Sequence, residues 1–221
     1  MYPAGFAVYI TLGVMEPTGV KFPFEFCALR YLLQWQRKEA SFHAQMRSPN
    51  PELPNLRKAL RYFQVARNFK GLKHDARAEV VREKLLEIRA RSDLSTEQQV
   101  EILASSFKEA EFQYNISAAS KLLWLTCRKP IIYDSRAFIA LKEEYGHRGK
   151  MMDYQAYCAS WKRAYKEAEQ AVLNAVNELP KARAFLPCDT PDDDRLLAMV
   201  RKPWFRERVF DLYLWELGGD G

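Results

Sequence analysis

Residues 117–141 read Ser-Ala-Ala-Ser-Lys-Leu-Leu-Trp-Leu-Thr-Cys-Arg-Lys-Pro-Ile-Ile-Tyr-Asp-Ser-Arg-Ala-Phe-Ile-Ala-Leu. The first eleven have helical character. Pro130 disfavours helical geometry at Lys129, and the β-branched pair Ile131-Ile132 suits an extended run. A helix from Ser117 to Cys127 climbs roughly 9 Å beyond Lys121 at ~1.5 Å per residue. An extended run recovers about 3.3 Å per residue, so Pro130 to Tyr133 can bring the chain back alongside Lys121. Asp134 then reads as an N-cap, with Ala137, Phe138, Ala140 and Leu141 on the apolar side of the next helix. The spacing predicts a helix-loop-helix that sets one lysine and one aspartate at the same end of two consecutive helices.

Outward from this stretch nearly every periodic segment has helical spacing. Helices are expected over Phe22–Ala44, Pro54–Phe69 and His74–Ala90, and then from Ser95, whose capping box with Gln98 opens a helix ending near Ala110. Asp153 starts a long helix that Pro180 stops, with Tyr157, Trp161, Ala164, Ala168, Ala171, Val172 and Val176 as its apolar stripe. Thr190-Pro191-Asp192-Asp193 reads as a cap followed by a proline at the first helical position, and Pro203 begins a last helix that Gly218-Gly219 ends. The expected fold is therefore all-α. It is a single compact domain over 1–221 with eight or nine helices, open to an arrangement of two lobes around a groove. Residues 1–24 are expected as an irregular arm, with a short strand at Phe6–Leu12.

The segment around Lys121 resembles the catalytic region of the helix-hairpin-helix DNA glycosylases, in particular their 8-oxoguanine glycosylase branch. The residues that carry the resemblance are Ser120-Lys121, the hydrophobic helix, Pro130, the short apolar run and Asp134. By position the resemblance implies Lys121 as the nucleophile at the sugar C1′ and Asp134 as the assisting carboxylate. The implied activity is excision of a modified or damaged base, with or without lyase activity at the abasic site, in DNA repair or in defence against phage with modified DNA. It also implies an all-helical fold. The hairpin turn, Tyr114-Asn115-Ile116-Ser117-Ala118-Ala119, has no glycine, although Asn115 tolerates a left-handed turn and Ser117 can cap a helix.

The residue types fit that chemistry. An amine can attack an electron-poor carbon, and a carboxylate at a helix start can face a cationic sugar while accepting backbone N–H bonds. Trp124 and Tyr133 could wall a base pocket and Trp204 could stack on an extruded base. Asn115, Ser117, Arg128, Lys129 and Arg136 are candidate DNA contacts. Taken singly, each has a plainer reading: a solvated lysine, an ordinary cap, or a core aromatic. Two alternatives follow, a non-catalytic helical nucleic-acid-binding module and a helical scaffold for an acidic protein partner.

The formal net charge is +6. Residues 54–91 hold eleven Lys or Arg against four acids, 11 − 4 = +7, a concentration suited to phosphates. Cys27, Cys127, Cys158 and Cys188 are scattered without metal spacing, so neither a metal nor an iron–sulfur cluster is expected, nor any other cofactor. The proline- and glycine-broken opening makes a poor signal peptide and a poor membrane span, and reduced thiols suit a cytoplasmic compartment. His43, His74 and His147 are isolated from one another, and none is given a catalytic role. No Walker, dinucleotide or Ser-His-Asp motif is present.

Overall fold

The computed structural model describes residues 23–219; the expected arm and its strand lie outside them, apart from Pro23 and Phe24. Ten α-helices and no strand occur among the described residues. α1 (Phe24–Gln34) passes through one π-helical turn, Trp35–Glu39, into α2 (Ala40–Met46), so the long helix expected there is one path with a widened middle. α3 (Leu53–Tyr62) carries Pro54 in its first turn and stops early, because Gln64 takes a left-handed φ of 57°. A 3-10 turn at Ala66–Asn68 replaces the rest of the expected helix.

α4 (Asp75–Arg89) precedes α5 (Thr96–Glu109), which opens on the reciprocal Ser95/Gln98 capping box. α6 (Ile116–Cys127) and α7 (Ser135–Tyr145) are the helices flanking the extended run. α8 (Tyr154–Asn177) is capped by Asp153, whose carboxylate accepts from the Ala156 N–H. Its stripe is buried as expected except at Ala171, which is exposed while Ala175 is buried. A 3-10 segment, Leu179–Phe185, leads to α9 (Asp193–Val200). Asp192, not Thr190, caps α9; Thr190 is buried and its hydroxyl accepts from Gln36 Nε2 at 3.1 Å. α10 (Pro203–Leu217) ends at Gly218.

α6 sits at the centre, buried along nearly its whole length, with α2, α3, α4 and α5 packed around it. α10 packs on α1, α7 and α8. It buries Phe205, Val209, Phe210, Leu212 and Leu214, and with them the charged side chains of Arg208 and Asp211. The Arg208 guanidinium bridges Asp211 Oδ2 (3.1 Å) and Glu39 Oε1 (3.4 Å). Trp161 Nε1 donates to Asp211 Oδ1 (2.7 Å) and Tyr62 OH donates to Glu39 Oε1 (3.0 Å). Buried charges survive only when paired and hydrogen-bonded. This network ties the π turn, α3, α8 and α10 into one arrangement.

Candidate active site

The turn before α6 begins at Glu111, where the left-handed φ of 62° falls, rather than at Asn115. Asn115 caps α6, its Oδ1 accepting from the Ala118 N–H at 2.9 Å, so the helix starts at Ile116 and Ser117 is not the cap. Ser117 serves another purpose, its Oγ accepting a hydrogen bond from Lys121 Nζ at 3.0 Å.

Beyond Cys127 the chain reverses through Arg128, a non-glycine residue with a φ of 56° that closes the helix. Residues 130–134 then run back extended along α6. No sheet satisfies this run. The Ile131 and Ile132 carbonyls instead accept from the hydroxyls of Tyr154 (2.6 Å) and Tyr157 (3.0 Å) on α8, and the Tyr133 N–H donates to Ser120 Oγ (3.0 Å). Buried backbone groups need partners, and these three hold the run against both helices.

The return delivers Asp134 to Lys121, with Nζ 2.9 Å from Oδ2. The carboxylate divides its work, since Oδ1 accepts from the Arg136 N–H at 3.1 Å as the cap of α7. Lys121 is 7% exposed, and the Asp134 side chain retains 22%. The pair is thus walled by protein with a small opening on the aspartate side. An ammonium has three N–H donors and two are used here.

The remaining sequence candidates separate. Tyr133 is buried against Phe138 and Tyr157, and its hydroxyl accepts from the Met152 N–H at 3.1 Å. Trp124, one turn beyond Lys121, is buried against His43 and the Arg208 guanidinium. Both are core side chains rather than walls of an open base pocket. Arg136 is exposed, its guanidinium lying 4.2 Å from the Trp215 ring centroid. Arg128, Lys129 and Trp204 gather at the other end of α6, where they line a cleft of about 740 Å³ together with His43, Arg47 and Cys127. Arg128 stands seven residues beyond Lys121, about 10 Å along the same face of the helix. The lysine and the cleft are therefore separate places.

Sequence reasoning missed Ser120, Tyr154 and Tyr157 as the splints of the site, and Trp35, His43 and Arg47 around the cleft. The tyrosines lie at core-facing positions of α8, and a periodicity reading counts them as apolar. The basic segment is also less free than its composition suggests. Arg57 pairs with Asp75, Arg82 with Glu79, Lys84 with Glu87 and Arg91 with Asp93, and Arg77 covers the Phe112 ring. Arg89 donates to the carbonyls of Met46, Arg47 and Ser48.

Among the described residues no group of three or more His, Cys, Asp or Glu is placed to hold a metal ion, and no helix is long and apolar enough to cross a membrane. No protein-family model matches the sequence, and neither a curated protein nor a solved structure matches it.

Proposed function

We propose that this chain is a DNA glycosylase that excises a modified or damaged base through Lys121 and Asp134. The observation that supports the reading is the 2.9 Å contact between Lys121 Nζ and Asp134 Oδ2, formed by a return loop between two capped helices. Asp134 Oδ2 takes a proton from Nζ and gives it up to the departing base, which leaves with the electrons of the N-glycosidic bond as the freed Nζ lone pair forms a bond to C1′, so Asp134 is again a carboxylate. The aminal that results opens to an iminium. Water releases it, or loss of a C2′ proton leads to strand cleavage. The Asp134 carboxylate, kept in place by the Arg136 N–H, stabilises the positive charge that develops on the sugar. Repair and defence against modified phage DNA are the roles such an activity serves.

The binding-module reading draws on the same contact. A buried lysine satisfied by Asp134 and Ser117 is also what a purely structural ion pair looks like. A scaffold for an acidic protein partner is the third reading, and salt-dependent DNA binding separates it from the other two. The deciding experiment incubates the protein and Lys121→Gln with duplex and single-stranded DNA carrying a panel of damaged and hypermodified bases, in the presence of borohydride. A covalent adduct that disappears in the variant supports amine catalysis. DNA binding without base release or adduct on any substrate transfers the function to the binding module.

A further inference from the structure

The cleft at the C-terminal end of α6 is built by five elements distant in sequence. α2 and its C-cap supply His43 and Arg47, α5 starts at Thr96, the residues after α6 are Arg128 and Lys129, α10 starts at Pro203-Trp204, and Trp35 of the π turn backs Arg128 and Trp204 from behind the lining. Trp35 and Trp204 touch, with ring centroids 4.6 Å apart, and the Arg128 guanidinium rests on both, at 4.6 Å and 4.3 Å from their centroids. Two indole faces thus fix a guanidinium that makes no hydrogen bond to the described residues, and its buried Nε has no partner. Arg47 and Lys129, both exposed, likewise form no ion pair among the described residues. Arg89 holds the carbonyls of residues 46–48 and so fixes the backbone that carries Arg47.

Three cations with no ion pair among the described residues therefore line the cleft with a single acid, Glu207. His43 adds no charge. Its Nδ1–H donates to the Leu125 carbonyl, and burial, reinforced by Arg128 and Arg47, pushes its pKa down to about 4. Burial also pushes Arg128 below the usual arginine value, with Arg47 adding repulsion. The starts of α5 and α10 bring the positive ends of two long helices to the same place, and no side chain caps α10. A guanidinium held flat can bind two oxygens of one anion at once, and the two further cations beside it suit the dianionic phosphate of a monoester or the successive phosphates of a strand better than a single carboxylate.

We infer that this cleft is a phosphate-binding site in which Arg128, steadied by Trp35 and Trp204, takes a nucleotide phosphate in a bidentate grip with Arg47 and Lys129 completing the charge. It goes beyond the excision reading and does not depend on it, since no group in the cleft touches Lys121 or Asp134. A phosphate ester can reach the cleft as a free nucleotide or as part of a strand, and the two are separable by experiment.

The test titrates the whole chain with inorganic phosphate, a 5′-mononucleotide, a twelve-residue single strand lacking terminal phosphates, and polyglutamate. The readouts are indole fluorescence and the rate at which a thiol reagent labels Cys127, an exposed cleft residue. Saturable quenching by a phosphate ester, with slowed Cys127 labelling, is expected. Tighter binding of the mononucleotide assigns a terminal phosphate, and tighter binding of the strand assigns a phosphodiester. Arg128→Gln should weaken binding at least tenfold. The double variant Arg47→Gln/Lys129→Gln, which alters only exposed side chains, should do the same with an unchanged unfolding midpoint. For the strand, each lost contact should lower the slope of log affinity against log salt by about 0.7. Lys121→Gln should bind phosphate as the parent does while losing any adduct, so the two readings fail separately. No saturable response to any phosphate probe, an equal response to polyglutamate, or affinity indifferent to both sets of variants would overturn the inference.

Discussion

The Tyr133 N–H donates to Ser120 Oγ at 3.0 Å, so the residue before Asp134 is fastened to the residue before Lys121. Ser120 is fully buried and Tyr133 nearly so. The hydroxyl also donates to the Ser117 carbonyl at 3.2 Å, which makes it a relay between α6 and the returning chain. Ser120→Ala leaves a buried N–H without a partner, a loss of about 1–3 kcal/mol. The expected result is a lower unfolding midpoint together with slower adduct formation. An unchanged midpoint would mean that the two tyrosines of α8 hold the run by themselves.

Asp134 has two tasks, and two variants separate them. Asn is as good an N-cap as Asp, so Asp134→Asn should keep the cap of α7, while loss of the charge leaves the buried Lys121 without its ion pair at a cost of up to about 3–5 kcal/mol. If the carboxylate acts on the sugar, adduct formation should fall about 10²–10³-fold, the range found when one stabilising group is removed from an active site. Asp134→Ala should lose the cap as well and unfold at a lower temperature. Equal rates for the parent and the Asn variant in single-turnover trapping would remove Asp134 from the chemistry.

Gly218 has an ordinary φ of −87°, yet a Cβ there would lie 1.9 Å from the Arg136 carbonyl oxygen. The end of α10 thus meets the first turn of α7, one residue from the Asp134–Ser135 junction. Gly218→Ala must push these backbones apart, at about 1–3 kcal/mol for overpacking. At about 2–4 °C per kcal/mol, a fall of several degrees is expected in a thermal melt.

Two buried groups bend the pH dependence of stability in opposite directions. Desolvation raises Asp211 to about 7, against the attraction of Arg208 and with Glu207 adding to the rise. The folded state then binds the extra proton between about 4 and 7, and stability falls as pH rises through that window. His43, lowered to about 4 by burial, is the reverse: the unfolded chain binds the extra proton, and stability is lost as pH falls from 6.5. Each contributes a slope of at most about 1.4 kcal/mol per pH unit, and in the parent they offset. Relative to the parent, Asp211→Asn should gain stability as pH rises from 4 to 7, and His43→Gln should lose it from 4 to 6.5. Denaturant titrations at several pH values give the sign directly.

The four cysteines are free. Cys127 and Cys188 are exposed, while burial pushes the thiols of Cys27 and Cys158 up to about 11 and about 12. A thiol reagent at neutral pH should label two sites quickly in the native protein and four after unfolding. Four fast sites in the native state would show that the packing around α1 and α8 is looser than the structure has it.

Much of the chain was legible from local pattern. The Ser95/Gln98 box, the Asp153 and Asp134 caps, and Pro203 and Gly218 at the two ends of α10 each act within a few residues. Where a reading erred, a competing local choice won. Asn115 took the cap expected of Ser117, Asp192 took the one expected of Thr190, and left-handed Gln64 cut α3 short. The juxtaposition of Lys121 and Asp134 was also within reach, because the rise of a helix and the reach of an extended return are properties of the backbone.

By itself, then, the sequence determined an all-helical chain, most of its helix ends, and a loop able to set a lysine beside an aspartate, since backbone sterics and capping operate over a few residues. Only the tertiary structure decided that Tyr154 and Tyr157 would satisfy the returning run, that Arg208 would lie between Glu39 and Asp211, and that Arg47, Arg128 and Lys129 would share a cleft with Trp204, backed by Trp35. The tyrosine hydrogen bonds and the Arg208–Glu39 contact join residues from 23 to 169 positions apart, and helix packing, which buries whole faces at once, chooses which side chains meet.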